Sequence, residues 1–260
     1  MGQDLIQHTS SIAYDRVGNG SPIVFVHGLT YDRRLWAPVV ERLRDEYACV
    51  NIDLPGHGAS LDAQTYDLDV VADNIHELID RLELANPVMV GHSISGLIVG
   101  FYASLYPTAG IVTSDQTLRT TPFAERLWGM REQLQSPAFP GIWRAIESQL
   151  GIDLIAERYR PGRKSLEPAA RGRAWLLRTI FEVAPAELQE RLVEIIGKID
   201  VPFTAIFGEE VDPDYCGWLT ALVPQCELVV FPNAGHFPHL VDSDRFSDEV
   251  RAVERKAFRT

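Results

Sequence analysis

Short, wholly apolar runs alternate along this chain with longer stretches in which apolar positions recur every three or four residues. Pro22-Ile23-Val24-Phe25-Val26, residues 48–53, Pro87-Val88-Met89-Val90 and residues 110–113 are of the first kind, and each reads as a strand buried on both faces. Residues 32–45 and 68–84 are of the second kind. Leu35, Trp36, Val39, Val40 and Leu43 line one side of the former, and Val71, Ile75, Leu78, Ile79 and Leu82 one side of the latter. A strand over 12–16 leads into the first buried run through a turn at Gly18-Asn19-Gly20, and a helix over 95–106 ends near Pro107. Strands and helices in this alternation imply right-handed crossovers and a mainly parallel, twisted sheet flanked by helices, an α/β fold.

The alternation breaks over 116–200, which holds helical patches, several prolines and an arginine-rich stretch (Arg158, Arg160, Arg163, Arg171, Arg173 and Arg178). It resumes with a strand at 203–207, a helix at 215–222, a strand at 227–231 and a closing helix at 245–256. Residues 1–115 and 201–260 are therefore expected to form the sheet core, with 116–200 inserted as a helical cap. Ligand sites in open parallel sheets lie beyond the carboxyl ends of the strands, where this block begins and ends. Trp128, Trp143, Trp175, Leu127, Met130, Phe123 and Phe139 are candidates to line an apolar cavity under it, with helix packing the competing use for most of them. The arginines are read mainly as solvated helix faces, with steering of an anionic substrate as the other use.

Composition narrows the field. Of 260 residues 46% are hydrophobic and 23% charged, enough for a substantial core without metal or disulfide support. A formal net charge of −12 argues against nucleic-acid partners and against docking on anionic membranes. Three cysteines, an odd and sparse set, suit a reducing compartment, and the first residues lack a basic segment followed by an apolar one; a cytoplasmic location is expected.

The sharpest chemical signal is Gly91-His92-Ser93-Ile94-Ser95-Gly96, between an apolar run and a helix. A serine on such a turn stands clear of the sheet, and small residues two before and two after it let strand and helix approach closely. Ser95 stands at the second of those positions, where glycine is usual, and is small enough to fit. The helix that follows aims its free amides at the serine and favours an oxyanion there. His27-Gly28-Leu29-Thr30 ends a buried strand and offers a second donor, so the Leu29 and Ile94 amides are the natural oxyanion pair. His236, on the loop Pro232-Asn233-Ala234-Gly235, is placed to act as a general base. His239 follows three residues later, but no third ligand accompanies the pair, so no metal is expected. His27, His57 and His92 read as loop and packing histidines. No phosphate-binding glycine loop occurs, and no cofactor is expected.

With HGLT at 27–30, DLPGHGAS at 53–60, GHSISG at 91–96 and NAGHFPHL at 233–240, the chain resembles the α/β-hydrolase superfamily over essentially its whole length. The resemblance implies a Ser93 nucleophile, a His236 base, an oxyanion hole from Leu29 and Ile94, and a structural role for the DLPGHGAS loop. Ser93 excludes the relatives that use an aspartate nucleophile. Two carboxylates compete for the third place in the triad. Asp212 lies beyond the strand at 203–207, the usual location, though one residue further on than expected; Asp115 lies after the preceding strand, as in some relatives, and is preferred, with Glu209 and Glu210 behind both. The expected reaction is hydrolysis of a small or medium-sized apolar ester or lactone through an acyl-enzyme. Carbon–carbon bond hydrolysis, lyase or cofactor-free peroxidase chemistry on the same triad is the alternative, and a non-catalytic ligand-binding protein a more distant one.

Overall fold

The computed structural model describes residues 7–8, 12–159, 175 and 180–258. The predicted alternation is realised as β1 (Gln7–His8), β2 (Ala13–Val17), β3 (Pro22–Val26), α1 (Ala37–Leu43), β4 (Ala48–Ile52), α2 (Leu68–Arg81), β5 (Val88–His92), α3 (Ile94–Leu105) and β6 (Gly110–Ser114). After β6 come α4 (Thr121–Gly129), α5 (Arg131–Leu134), α6 (Phe139–Glu147) and α7 (Pro185–Ile196). The sheet then resumes with β7 (Phe203–Phe207), α8 (Pro213–Leu222), β8 (Cys226–Val230), α9 (Pro238–Val241) and α10 (Ser243–Ala257).

All eight strands form one sheet in the order β1-β2-β4-β3-β5-β6-β7-β8. From β4 to β8 every neighbouring pair is parallel, while β1 and β2 add an antiparallel edge. The turn at Gly18-Asn19-Gly20 joins β2 to β3 without pairing them: β4 lies between, bonded to both. Gly18 (φ 82°) and Gly20 (φ 116°) press against the carbonyls of Arg44, Glu46 and Tyr47, so the turn is shaped by the approach to β4 rather than by a hairpin.

Because side chains alternate across a strand, β3 feeds two cores at once. Val24 and Val26 face the layer of α2, α3, α7 and α8, where Val71, Ile75, Leu192 and Leu219 are buried with them. Ile23 and Phe25 face α1 and α10, among Trp36, Val39, Leu43, Phe246 and Val250. The β6–β7 segment carries a smaller core of its own, with Ala124, Leu127, Leu134, Phe139, Trp143 and Ile180. Trp175 ties that segment down: its indole N–H donates to the Pro55 carbonyl at 3.3 Å. No helix among the described residues is long and apolar enough to cross a membrane.

Candidate active site

Ser93 occupies the junction of β5 and α3 with φ 54° and ψ −130°, a backbone conformation that costs energy for any residue but glycine. Neighbours impose it. A Cβ on Gly91 would stand 2.3 Å from the Ser95 carbonyl oxygen, so only glycine lets β5 run this close under α3. The Ser93 amide is held by the Ser114 carbonyl of β6 at 2.9 Å. The buried Ser95 takes the place of the usual glycine and makes use of its hydroxyl, which donates to the His27 carbonyl at 2.5 Å. That bond links the start of α3 to the loop after β3.

The same loop is fixed at its next peptide. The Leu54 amide donates to His27 Nε2 at 3.0 Å, which leaves the proton on Nδ1. Nδ1 therefore donates to the Gly28 carbonyl at 2.8 Å, and the Tyr31 amide donates to the same oxygen at 3.2 Å. Burial holds His27 neutral, its pKa lowered to about 4, so this tautomer persists across the physiological range. In a planar trans peptide the Gly28 carbonyl and the Leu29 N–H point in opposite directions, so anchoring the first aims the second. Neither the Leu29 nor the Ile94 amide donates to another group among the described residues. A Cβ on Gly28 would meet His92 Nδ1 at 2.7 Å and Ser93 Cβ at 3.1 Å, so the loop lies directly against the serine turn.

His57 works on the far side of this loop, accepting from the Thr30 amide at 3.1 Å and donating from Nδ1 to the Pro55 carbonyl at 3.0 Å. Asp53 in the same DLPGHGAS segment takes the Arg33 guanidinium, at 2.5 Å, and the amides of Arg33 and Ala59. The segment is a buried brace.

His236 arrives on the loop after β8. Its amide donates to Leu150 of the β6–β7 segment at 3.0 Å, and its carbonyl accepts from His92 Nε2 at 2.8 Å. Its Nδ1 lies 2.6 Å from Asp115 Oδ2. Asp115 leaves β6 with φ 50°, a left-handed conformation that aspartate tolerates better than most residues, and its other oxygen accepts from the Gly208 amide at 3.1 Å. Gly208 has no room for a side chain, since a Cβ there would stand 1.7 Å from the Gly235 carbonyl oxygen. The end of β7 is thus pressed against the histidine loop, and Asp115 reaches both.

Asp212, the competing carboxylate, is not brought to His236. It is exposed and caps α8, accepting from the Asp214 amide at 2.9 Å, with Pro213 opening the helix. Glu209 and Glu210 are also exposed. His239 is buried behind the site, its Nδ1 3.0 Å from Ser114 Oγ and its ring against Trp36.

Ser93, Ile94, Leu29 and His236 border one cavity of about 150 Å³, closed from above by residues of α4, α6 and α7 and by Trp175. Of the aromatic and aliphatic candidates in the inserted segment, Phe123, Trp143 and Trp175 reach this cavity. Leu127 and Phe139 are buried in the segment's own core with Met130 beside them, and Trp128 stacks under the Arg131 guanidinium. Arg158 lies over Tyr159; Arg160, Arg163, Arg171, Arg173 and Arg178 lie outside the described residues. Four polar lining residues escape a reading by motif, Tyr31, Gln116, Thr120 and Glu147. Glu147 carried a signal: on α6 it shares the stripe of Phe139, Trp143 and Ile146, at spacings where a helix buries apolar residues.

Residues 23–249 match the alpha/beta hydrolase family. The chain belongs to that family. It is a hydrolase enzyme, as the family match and the curated relatives named as esterases that span nearly all of it support. A pimeloyl-[acyl-carrier protein] methyl ester esterase from Nitrosomonas europaea is 28% identical over 255 residues, covering 91% of this chain and 97% of the relative. Among solved structures, a thermophilic esterase from Thermogutta terrifontis superposes with a TM-score of 0.75 at 23% identity, covering 97% of each chain. The N-acyl homoserine lactonase AidH, in complex with N-hexanoyl homoserine, gives 0.75 at 21% identity over 96% of each chain. At these identities the two structures establish the shared fold.

Proposed function

We propose that this hydrolase cleaves a small or medium-sized, largely apolar carboxylic ester or lactone through an acyl-enzyme on Ser93. One observation carries the reading: Asp115 is paired at 2.6 Å with His236, which shares a cavity with a serine held at φ 54°. Asp115 fixes the proton of His236 on Nδ1 and leaves Nε2 free to take the Ser93 proton as the hydroxyl attacks the ester carbonyl. The tetrahedral oxyanion is received by the Leu29 and Ile94 amides, each oriented before substrate arrives, so no reorganisation is needed as charge develops. His236 then gives its proton to the leaving alcohol. Water, deprotonated by the same imidazole, releases the acid and restores Ser93.

The helices between β6 and β7 act as a cap that excludes water from this chemistry and sets the size of the substrate. A cavity near 150 Å³ with mostly apolar walls suits a short acyl or alcohol group rather than a polymer. The esterase and lactonase names of relatives favour the same reading.

Intact-mass labelling with a fluorophosphonate tests the nucleophile. One adduct is expected on the wild type and none on Ser93→Ala; an adduct on the variant, or none on either protein, overturns the assignment. A panel of short esters and lactones, with a diketone and a cyanohydrin alongside, then distinguishes ester hydrolysis from carbon–carbon cleavage and lyase chemistry.

A further inference from the structure

The walls of the cavity are uneven in polarity. Apart from Ser93 and His236, some polar groups on its lining are already engaged: the Gln116 side-chain amide donates to the Thr117 carbonyl at 2.6 Å, and Thr30 Oγ1 donates to Glu147 Oε1 at 2.9 Å. Four side-chain groups on the lining remain uncommitted among the described residues: Gln116 Oε1, the buried Trp143 indole N–H, the Tyr31 hydroxyl and Glu147 Oε2. The Tyr31 hydroxyl is buried, on a residue only 7% exposed, and has no hydrogen-bond partner. Glu147 Oε2 has no hydrogen bond or cation partner among the described residues. Both residues line the cavity, and the described lining holds no lysine or arginine.

A buried hydroxyl without a partner is unfavourable, and Glu147 presents its second carboxylate oxygen to a mostly apolar wall. The Tyr31 ring has a packing role, against His92 at 6.0 Å and Phe237 at 5.7 Å between centroids, but that role needs no oxygen. The hydroxyl keeps its proton, because burial and the nearby Glu147 charge both raise its pKa.

We infer that Tyr31 and Glu147 form a polar subsite that selects an ester bearing a hydroxyl group and rejects one bearing a carboxylate. A hydroxyl carries what each of the two groups can use, a hydrogen for the Glu147 carboxylate and an oxygen that accepts from the Tyr31 phenol. A second carboxylate on the substrate meets Glu147 at short range with no cation on the described lining to offset it. The inference deepens the ester-hydrolase reading and rests on that reading for where the ester lies. It sets this chain apart from a relative named as a 2-(acetamidomethylene)succinate hydrolase, whose named substrate is a dicarboxylate.

The test uses short esters ending in a methyl, a hydroxymethyl or a carboxylate group, placed on the acyl chain in one series and on the alcohol in the other. Hydrolysis is followed by pH-stat, and binding of the same esters to Ser93→Ala by calorimetry. In one of the two series, kcat/KM and affinity should favour hydroxyl over methyl on the order of 10- to 100-fold, and the carboxylate should be turned over least. Tyr31→Phe and Glu147→Gln should each erase most of the hydroxyl preference, Glu147→Gln should relax the exclusion of carboxylate, and Tyr31→Phe should not lower the melting temperature. Equal handling of hydroxyl and methyl esters by the wild type, or a preference that survives both substitutions, overturns the inference. If no ester is turned over, the ester-cleavage reading fails by itself, and the binding series on Ser93→Ala still decides the subsite.

Discussion

Replacing Asp115 by asparagine changes one atom and should remove nearly all activity. The carboxylate bridges two fixed donors, the Gly208 amide at 3.1 Å on Oδ1 and His236 Nδ1 at 2.6 Å on Oδ2. An asparagine has one oxygen and one NH₂ to offer. The backbone amide of Gly208 can only donate, so it claims the oxygen and turns the NH₂ toward His236. The imidazole must then accept at Nδ1, which moves its proton to Nε2, the atom that has to take the proton of Ser93. The wrong tautomer and the lost stabilisation of the imidazolium together cost about 10³- to 10⁴-fold in kcat, or about 4–5 kcal/mol of barrier. Substrate contacts are untouched, so KM should change little, and the retained Gly208 bond should keep the melting temperature within a few degrees. Steady-state kinetics on a chromogenic short ester reads the first two, and differential scanning fluorimetry the third. Asp212→Asn is the matched control: an exposed helix cap whose replacement by another good capping residue should leave kcat within twofold. An Asp115→Asn enzyme within tenfold of wild type, or an equal loss in Asp212→Asn, would refute the reasoning.

The oxyanion loop offers two further perturbations. Gly28→Ala drives a methyl group toward the His92 ring and Ser93, displacing the Leu29 amide, and should lower kcat by about 10²- to 10³-fold in the same kinetic assay with the fold retained. Ser95→Ala strands the buried His27 carbonyl and should cost about 1–3 kcal/mol, a fall on the order of 2–10 °C in thermal unfolding, together with a slower kcat. Stability should also depend on pH through His27, His92 and His239, which burial keeps neutral by lowering their pKa values, that of His27 to about 4. The unfolded chain binds protons at these residues near pH 6.5 while the folded chain does not. Stability is therefore full above pH 6.5 and falls as the pH drops toward 4, with a slope of up to ~1.4 kcal/mol per pH unit for each histidine. Urea midpoints at pH 7, 6 and 5 measure this, and a flat profile would show that the three rings are not held neutral.

Much of the candidate site was legible before folding because its requirements are local. The steric demand that makes Gly91 a glycine and raises φ at Ser93 acts within a few residues of one turn. The two faces of β3 and the apolar stripes of α1 and α2 follow from the periods of strand and helix, and strand and helix ends moved by only a residue or so for most elements. The Gly18-Asn19-Gly20 turn was legible as a turn, but its strands' partner was not, since β4 enters from beyond α1.

By itself, the sequence determined the class of fold and marked the serine turn and the histidine loop, each written in spacing and residue size over a short window. For the carboxylate that meets His236 the sequence offered a preference, Asp115 over Asp212, and the tertiary structure supplies the contact itself. Asp115 and Asp212 both follow sheet strands, and the choice turns on the Gly208–Gly235 contact that sets the histidine loop against the end of β7, with Asp115 joining across a separation of 121 residues. The bond from Thr30 to Glu147, across 117 residues, is of the same kind, as is the uncommitted Tyr31 hydroxyl beside it. Local rules say how each segment folds. Whether a polar group is satisfied depends on what distant segments bring to it, and that is settled only when the chain has closed around the cavity.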